Sequence, residues 1–229
     1  MENFIEITET TDQQKVAFYK KTYTHVAYGV LAFILIEYFF LTTPAIVNAA
    51  LSLTGGKMWL LMLGGFMLVT TVAEKMAVNS QDRNKQYLGF LLYIIAEAFI
   101  FVPILYIAMS LTDGANIIKQ AAVLTLALFT GLSGVVFFTK TDFSFLKNII
   151  IIGGFIAIGL IVAGTLFGFD LGLWFSVAMV ALAAASILYQ TSKLTQIYNQ
   201  NQYVAAALGL FASLMLLFWY ILRIFMSRD

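Results

Sequence analysis

The chain has 229 residues, of which 61% are hydrophobic and only 11% charged, with a mean hydropathy of +0.90. Soluble domains carry about 25% charged residues, and so few charges cannot cover the surface of one; disorder, which needs low hydrophobicity, is excluded as well. A formal net charge of +1 gives no field to draw in nucleic acid, and the absence of cysteine removes disulfides, thiolate metal sites and cysteine nucleophiles. An integral membrane protein remains. At about 20 apolar residues per spanning helix, a chain of this hydrophobicity supplies roughly seven.

Residues 1–23 are polar and of mixed charge, without the basic start and apolar run of a cleaved signal peptide, so a retained N-terminal segment is expected. Seven apolar stretches follow: 24–41, 58–77, 86–109, 121–138, 146–167, 173–189 and 203–225. Residues 226–229 form a short tail. The runs are continuous, not alternating, which fits helices and excludes barrel strands. The sixth is the shortest. Loops are short and no internal repeat stands out.

Lys15, Lys20, Lys21, Lys75, Arg83, Lys85, Lys140, Lys147 and Lys193 fall on the N-terminal side of such a bundle, and Lys57, Lys119, Arg223 and Arg228 on the other. The bias places the N-terminus in the cytoplasm, and seven crossings then leave the C-terminus outside. Small residues let membrane helices approach closely. Gly131 with Gly134, Gly159 with Ala163, Gly164 with Gly168, Ala181 with Ala185, and Ala205 with Gly209 are the expected packing pairs. Trp59, Trp174 and Trp219 near span ends read as an aromatic belt.

An ionisable group inside a bilayer is costly and marks a functional site unless it is paired or snorkels. Glu97 lies 11 residues into the third span, roughly 16 Å deep at 1.5 Å per residue, with no Lys or Arg at that depth. It either carries a proton or cation or is held neutral by Ser, Tyr or backbone of a neighbouring helix. Glu37 lies beyond the midplane of the first span; it either shares a proton with Glu97 or sits at the outer interface. Glu74, about one turn from the end of the second span, reads as an interfacial acid or part of the same pathway. Asp170 belongs to a solvated outer turn. His25, the single histidine, is a pH-sensor candidate or an interfacial residue. Phosphate loops, HExxH and GxSxG motifs are absent, as is any lysine in residues 203–222 to carry retinal. Neither an enzyme nor a cofactor is expected.

Three stretches together resemble the Bax inhibitor (transmembrane Bax inhibitor motif) family in its bacterial branch. They are Lys20-Lys21-Thr22-Tyr23 followed by Val26 and Gly29; residues 126–146, LALFTGLSGVVFFTKTDFSFL, with Thr139, Lys140, Asp142 and Phe143 in its loop; and residues 217–225, LFWYILRIF. The resemblance implies an all-α, seven-transmembrane-helix bundle in the inner membrane with the last helix central. It implies a passive, pH-sensitive leak for Ca²⁺, other cations or protons. The alternative it implies is a non-transporting regulator bound to a membrane-anchored ATP-dependent protease, for which the polar N-terminal segment would be the docking element. Leak-type members place two aspartates where this chain has Gln190 and Ser213. Neither titrates near neutrality, so altered gating is expected. Glu97 matches an acid of several bacterial members.

Overall fold

The computed structural model describes residues 12–80, 82–196 and 202–227. Eight helices are formed among them: α1 (Asp12–Leu41), α2 (Pro44–Ser52), α3 (Met58–Asn79), α4 (Arg83–Ser110), α5 (Gly114–Thr139), α6 (Leu146–Phe167), α7 (Gly172–Gln196) and α8 (Tyr203–Met226). All except α2 are long and apolar enough to cross a membrane. The described residues are therefore all-α with seven candidate spans, as the hydropathy indicates.

The last helix is central. α8 packs against α1, α3, α4, α5 and α7, and small residues along its first half, Ala205, Ala206, Ala207 and Gly209, let those neighbours approach. α4 shares the interior: Tyr93, Ile94, Ala98, Phe101, Val102 and Leu105 are all buried. α6 is peripheral, packed on α7 and α3. Its Ile152, Phe155 and Ile156 are exposed, as suits a lipid-facing surface.

Helix ends depart from the hydropathy boundaries where polar side chains find partners. α1 begins at Asp12, so the helix already covers residues 12–23 ahead of the first apolar stretch. The sixth span is not short: α7 continues through the polar run 190–196 because Thr191 and Ser192 are fully buried and hydrogen-bonded across the bundle. The unforeseen α2 starts at Pro44, whose fixed φ suits a first helical position. It buries Val47 and Ala50 against Val102 of α4.

Most of the expected small-residue pairs are not the close contacts. A side-chain carbon added at Gly131 or Gly159 would meet nothing within 4 Å, Ala181 is exposed, and Gly168 caps α6 in a left-handed conformation at φ 75°. The tight seam runs elsewhere, between α3 and α4. A Cβ at Gly89 would lie 2.6 Å from the Ala73 carbonyl oxygen and 2.9 Å from the Ala77 nitrogen. Ala73 and Ala77, one turn apart and both buried, form the groove that receives Gly89.

Candidate functional site

Glu97 lies on α4 in one row with Gly89, Tyr93 and Phe101, at spacings of four residues that place side chains on a common face. The residue is 6% exposed, and its Oε2 has no hydrogen-bond partner among the described residues. It forms the floor of a cavity of about 440 Å³, most of whose other lining residues lie nearer the helix ends on the face away from the N-terminus. Trp59 and Leu63 of α3 and Trp219 and Tyr220 of α8 form its walls, and Gly56, Asp170 and Arg223 surround its mouth. There Arg223 pairs with Asp170 at 3.6 Å. Trp59 and Trp219 stack at 6.2 Å, so these two tryptophans line the vestibule; Trp174, 83% exposed, alone keeps the lipid-facing position expected of all three.

On the other side of Glu97, one turn toward the N-terminal face, Tyr93 is buried within electrostatic range of both Glu97 and Glu74. Glu74 is exposed near the end of α3 and within range of Lys193 on α7. The order Glu74, Tyr93, Glu97, vestibule runs the height of the bundle. Tyr93 carries no charge to single it out in the sequence; its position four residues before Glu97, on the same helix face, is the available signal.

Glu37 does not join this row. It is buried at 4% exposure, not snorkelling, and neither of its oxygens has a hydrogen-bond partner among the described residues, Glu97 included. It lines a separate, almost wholly apolar cavity of about 400 Å³ with Phe33, Leu105, Thr125 and Phe218. Phe101 lies against Phe33 at 5.2 Å and against Trp219 at 4.9 Å, an aromatic partition one turn from each acid.

Gln190 and Ser213, the positions where the resemblance implies aspartates, both lie in the α7–α8 seam beside Gly209. Ser213 pairs with Ser186 at 2.8 Å and donates to the Gly209 carbonyl at 2.9 Å. The Gln190 amide packs where a Cβ on residue 209 would stand, 2.8 Å from its Oε1, and that oxygen has no hydrogen-bond partner among the described residues. Glycine at 209 is what gives the amide room.

The motif loop is a latch. Lys140 ends α5 in a left-handed conformation at φ 53°, its N–H donating to the Val136 carbonyl, while the Thr139 hydroxyl donates to Val135. The Phe143 N–H donates to Ser192 Oγ at 3.0 Å, Ser192 Oγ donates to Asp142 Oδ1 at 3.4 Å, and the Ser144 N–H donates to the same oxygen at 2.8 Å. The Ser144 hydroxyl and amide hold the Asp142 carboxyl below the usual aspartate value of 3.8. A carboxyl depressed in the folded state stabilises above its ordinary value and loses that contribution as pH falls through the folded one. Hydrogen-exchange protection of the Ser144 amide is therefore expected to persist as pH drops through 3.8 and to vanish only below it. In Asp142→Asn it is expected to be weaker and independent of pH, and loss of wild-type protection already at pH 5 would refute the latch.

His25 ties three helices at the N-terminal face. Its Nδ1 donates to the Lys21 carbonyl at 2.7 Å, Nε2 meets the Tyr87 hydroxyl at 3.0 Å, and Tyr87 meets Tyr203 at 3.2 Å. The Arg83 guanidinium lies 4.4 Å from the Tyr203 ring centre. Residues 1–11 of the expected docking segment lie outside the described residues.

These features define a multi-pass helical membrane protein with a buried acid beneath an open vestibule. The chain matches the family described as inhibitor of apoptosis-promoting Bax1 over residues 15–229, and it belongs to that family. It is similar to an uncharacterized protein of Pseudomonas aeruginosa, at 36% identity over 54% of this chain and 55% of that protein. It is also similar to uncharacterized proteins of Neisseria meningitidis serogroups A and B, each at 26% identity over 81% of this chain and 85% of theirs.

Proposed function

We propose that the protein is a passive proton leak of a bacterial inner membrane, with Glu97 as the group that takes and releases the proton. The observation that carries this reading is the unpartnered Glu97 oxygen at the floor of the vestibule. Unpaired intramembrane acids are retained at a cost and serve proton and ion routes. Tyr93 and Glu74 continue the route to the N-terminal face, and the excess of basic residues on that side supports reading it as the cytoplasmic one. Glu37, in its own apolar cavity, lies off it.

The site favours a proton over Ca²⁺. Calcium takes six to eight oxygens, and among the described residues no group of three or more His, Cys, Asp or Glu side chains comes together. A proton needs one carboxyl and water. Because Gln190 and Ser213 do not titrate near neutrality, the leak lacks the two-aspartate switch that the family resemblance implies. Proton entry into liposomes holding the purified protein, compared with empty liposomes under the same gradient, tests the proposal. Equal rates would end it.

A further inference from the structure

We propose that the vestibule above Glu97 is a binding site for organic cations, molecules that carry a quaternary or protonated amine on an apolar body. Its volume, about 440 Å³, lies within the range of small-molecule pockets. Its walls carry the ring systems of Trp59, Phe66, Phe101, Trp219 and Tyr220. Three of these rings are braced in one group, Trp59 stacked on Trp219 at 6.2 Å and Phe101 edge-on to Trp219 at 4.9 Å. Aromatic faces attract cations through the ring quadrupole, most strongly where water is excluded, and quaternary ammonium groups are recognised in this way.

The floor supplies the countercharge. Glu97 is buried and its Oε2 has no hydrogen-bond partner among the described residues, whereas the two threonine hydroxyls of the wall are already engaged: Thr54 donates to the Leu51 carbonyl and Thr165 to the Ile161 carbonyl. Arg223 is the one cationic side chain among the lining residues. It stands at the mouth, paired with Asp170, about two helical turns above Leu216. A metal ion would find one buried carboxylate, Glu97, with Asp170 already paired with Arg223 at the mouth, too few free oxygens to replace its hydration shell. An anion would meet Glu97. An ammonium with an apolar body, whose hydration is weak, is matched by both the walls and the floor.

This goes beyond the proton route and does not require it, although proton and organic cation would be alternative occupants of one carboxyl. The discriminating probes are benzyltrimethylammonium and its neutral isostere neopentylbenzene, titrated calorimetrically into the full chain in nanodiscs. We expect saturable binding of the cation, weakened about tenfold or more in Glu97→Gln and several-fold in Trp59→Leu. Glu37→Gln, in the other cavity, should bind as the wild type does. The neutral isostere should bind weakly and be indifferent to Glu97→Gln. Equal affinity for the two probes, or a Glu97→Gln affinity equal to wild type, would overturn the proposal and leave only an apolar cavity. Should Glu97→Gln fail to fold, Trp59→Leu and the two-probe comparison still decide it. Cation binding without proton flux would sink the leak alone, and flux without cation binding would sink this site alone.

Discussion

Glu97→Gln protein in liposomes is expected to lose nearly all of its proton flux, falling close to the rate of empty vesicles, while remaining folded. The fold should survive because glutamine has the shape of a protonated glutamic acid and, like it, presents a donor and an acceptor. The flux should not survive because an amide cannot take up and release a proton in this range. Tyr93→Phe and Glu74→Gln are expected to slow flux several-fold without abolishing it. Tyr93 relays through one hydroxyl that an inserted water can replace, and Glu74 sits at an exposed end where water already reaches. Glu37→Gln should conduct as the wild type does, since Phe101 and its aromatic neighbours separate the two cavities. Wild-type flux from Glu97→Gln would remove Glu97 from the mechanism. Loss of flux in Glu37→Gln would show that the two acids communicate after all.

The contrast between these acids shows what was legible in the chain and what was not. Seven spans and a central last helix could be expected from apolar runs and family-like segments, because the bilayer demands continuous hydrophobic helices whatever they pack against. Glu97 stood out for the same reason: no Lys or Arg on any span lay at its depth. Hydropathy does not say which way a side chain faces. Glu37 has the local look of an interfacial acid, flanked by the exposed Tyr38 and Phe39, yet its own side chain turns inward. The two tryptophans of the vestibule sit at span ends like belt residues, and only the approach of α3 to α8 brings them together. The length of α7 was hidden in the same way, since the polar residues 190–196 look like a loop until Ser133 and the 140–145 turn supply their partners. In each case the deciding contact lies between helices far apart in sequence.

The second large effect is expected at Gly89, where packing and the proton route meet. A methyl group there would be placed 2.6 Å from the Ala73 carbonyl oxygen, 2.9 Å from the Ala77 nitrogen and 2.9 Å from the Met76 Cβ. Two of those atoms are backbone and cannot rotate away, so α3 must move as a body. Overpacking a core costs about 1–3 kcal/mol where side chains can adjust, and Gly89→Ala is expected at or above the upper end of that range, with Gly89→Val worse. Gly131→Ala supplies the control. It adds the same methyl to another membrane helix where nothing lies within 4 Å, and relief of glycine's backbone entropy should leave it neutral or more stable by about 0.5–1 kcal/mol. Thermal unfolding in detergent reads both, and a Gly89→Ala midpoint equal to that of wild type would dispose of the seam. The displacement should also be felt in function, because Gly89 stands one turn below Tyr93 in the row that leads to Glu97. Pushing α3 away there separates Glu74 from Tyr93, so whatever Gly89→Ala protein remains folded should conduct more slowly per molecule, and Gly131→Ala protein should not.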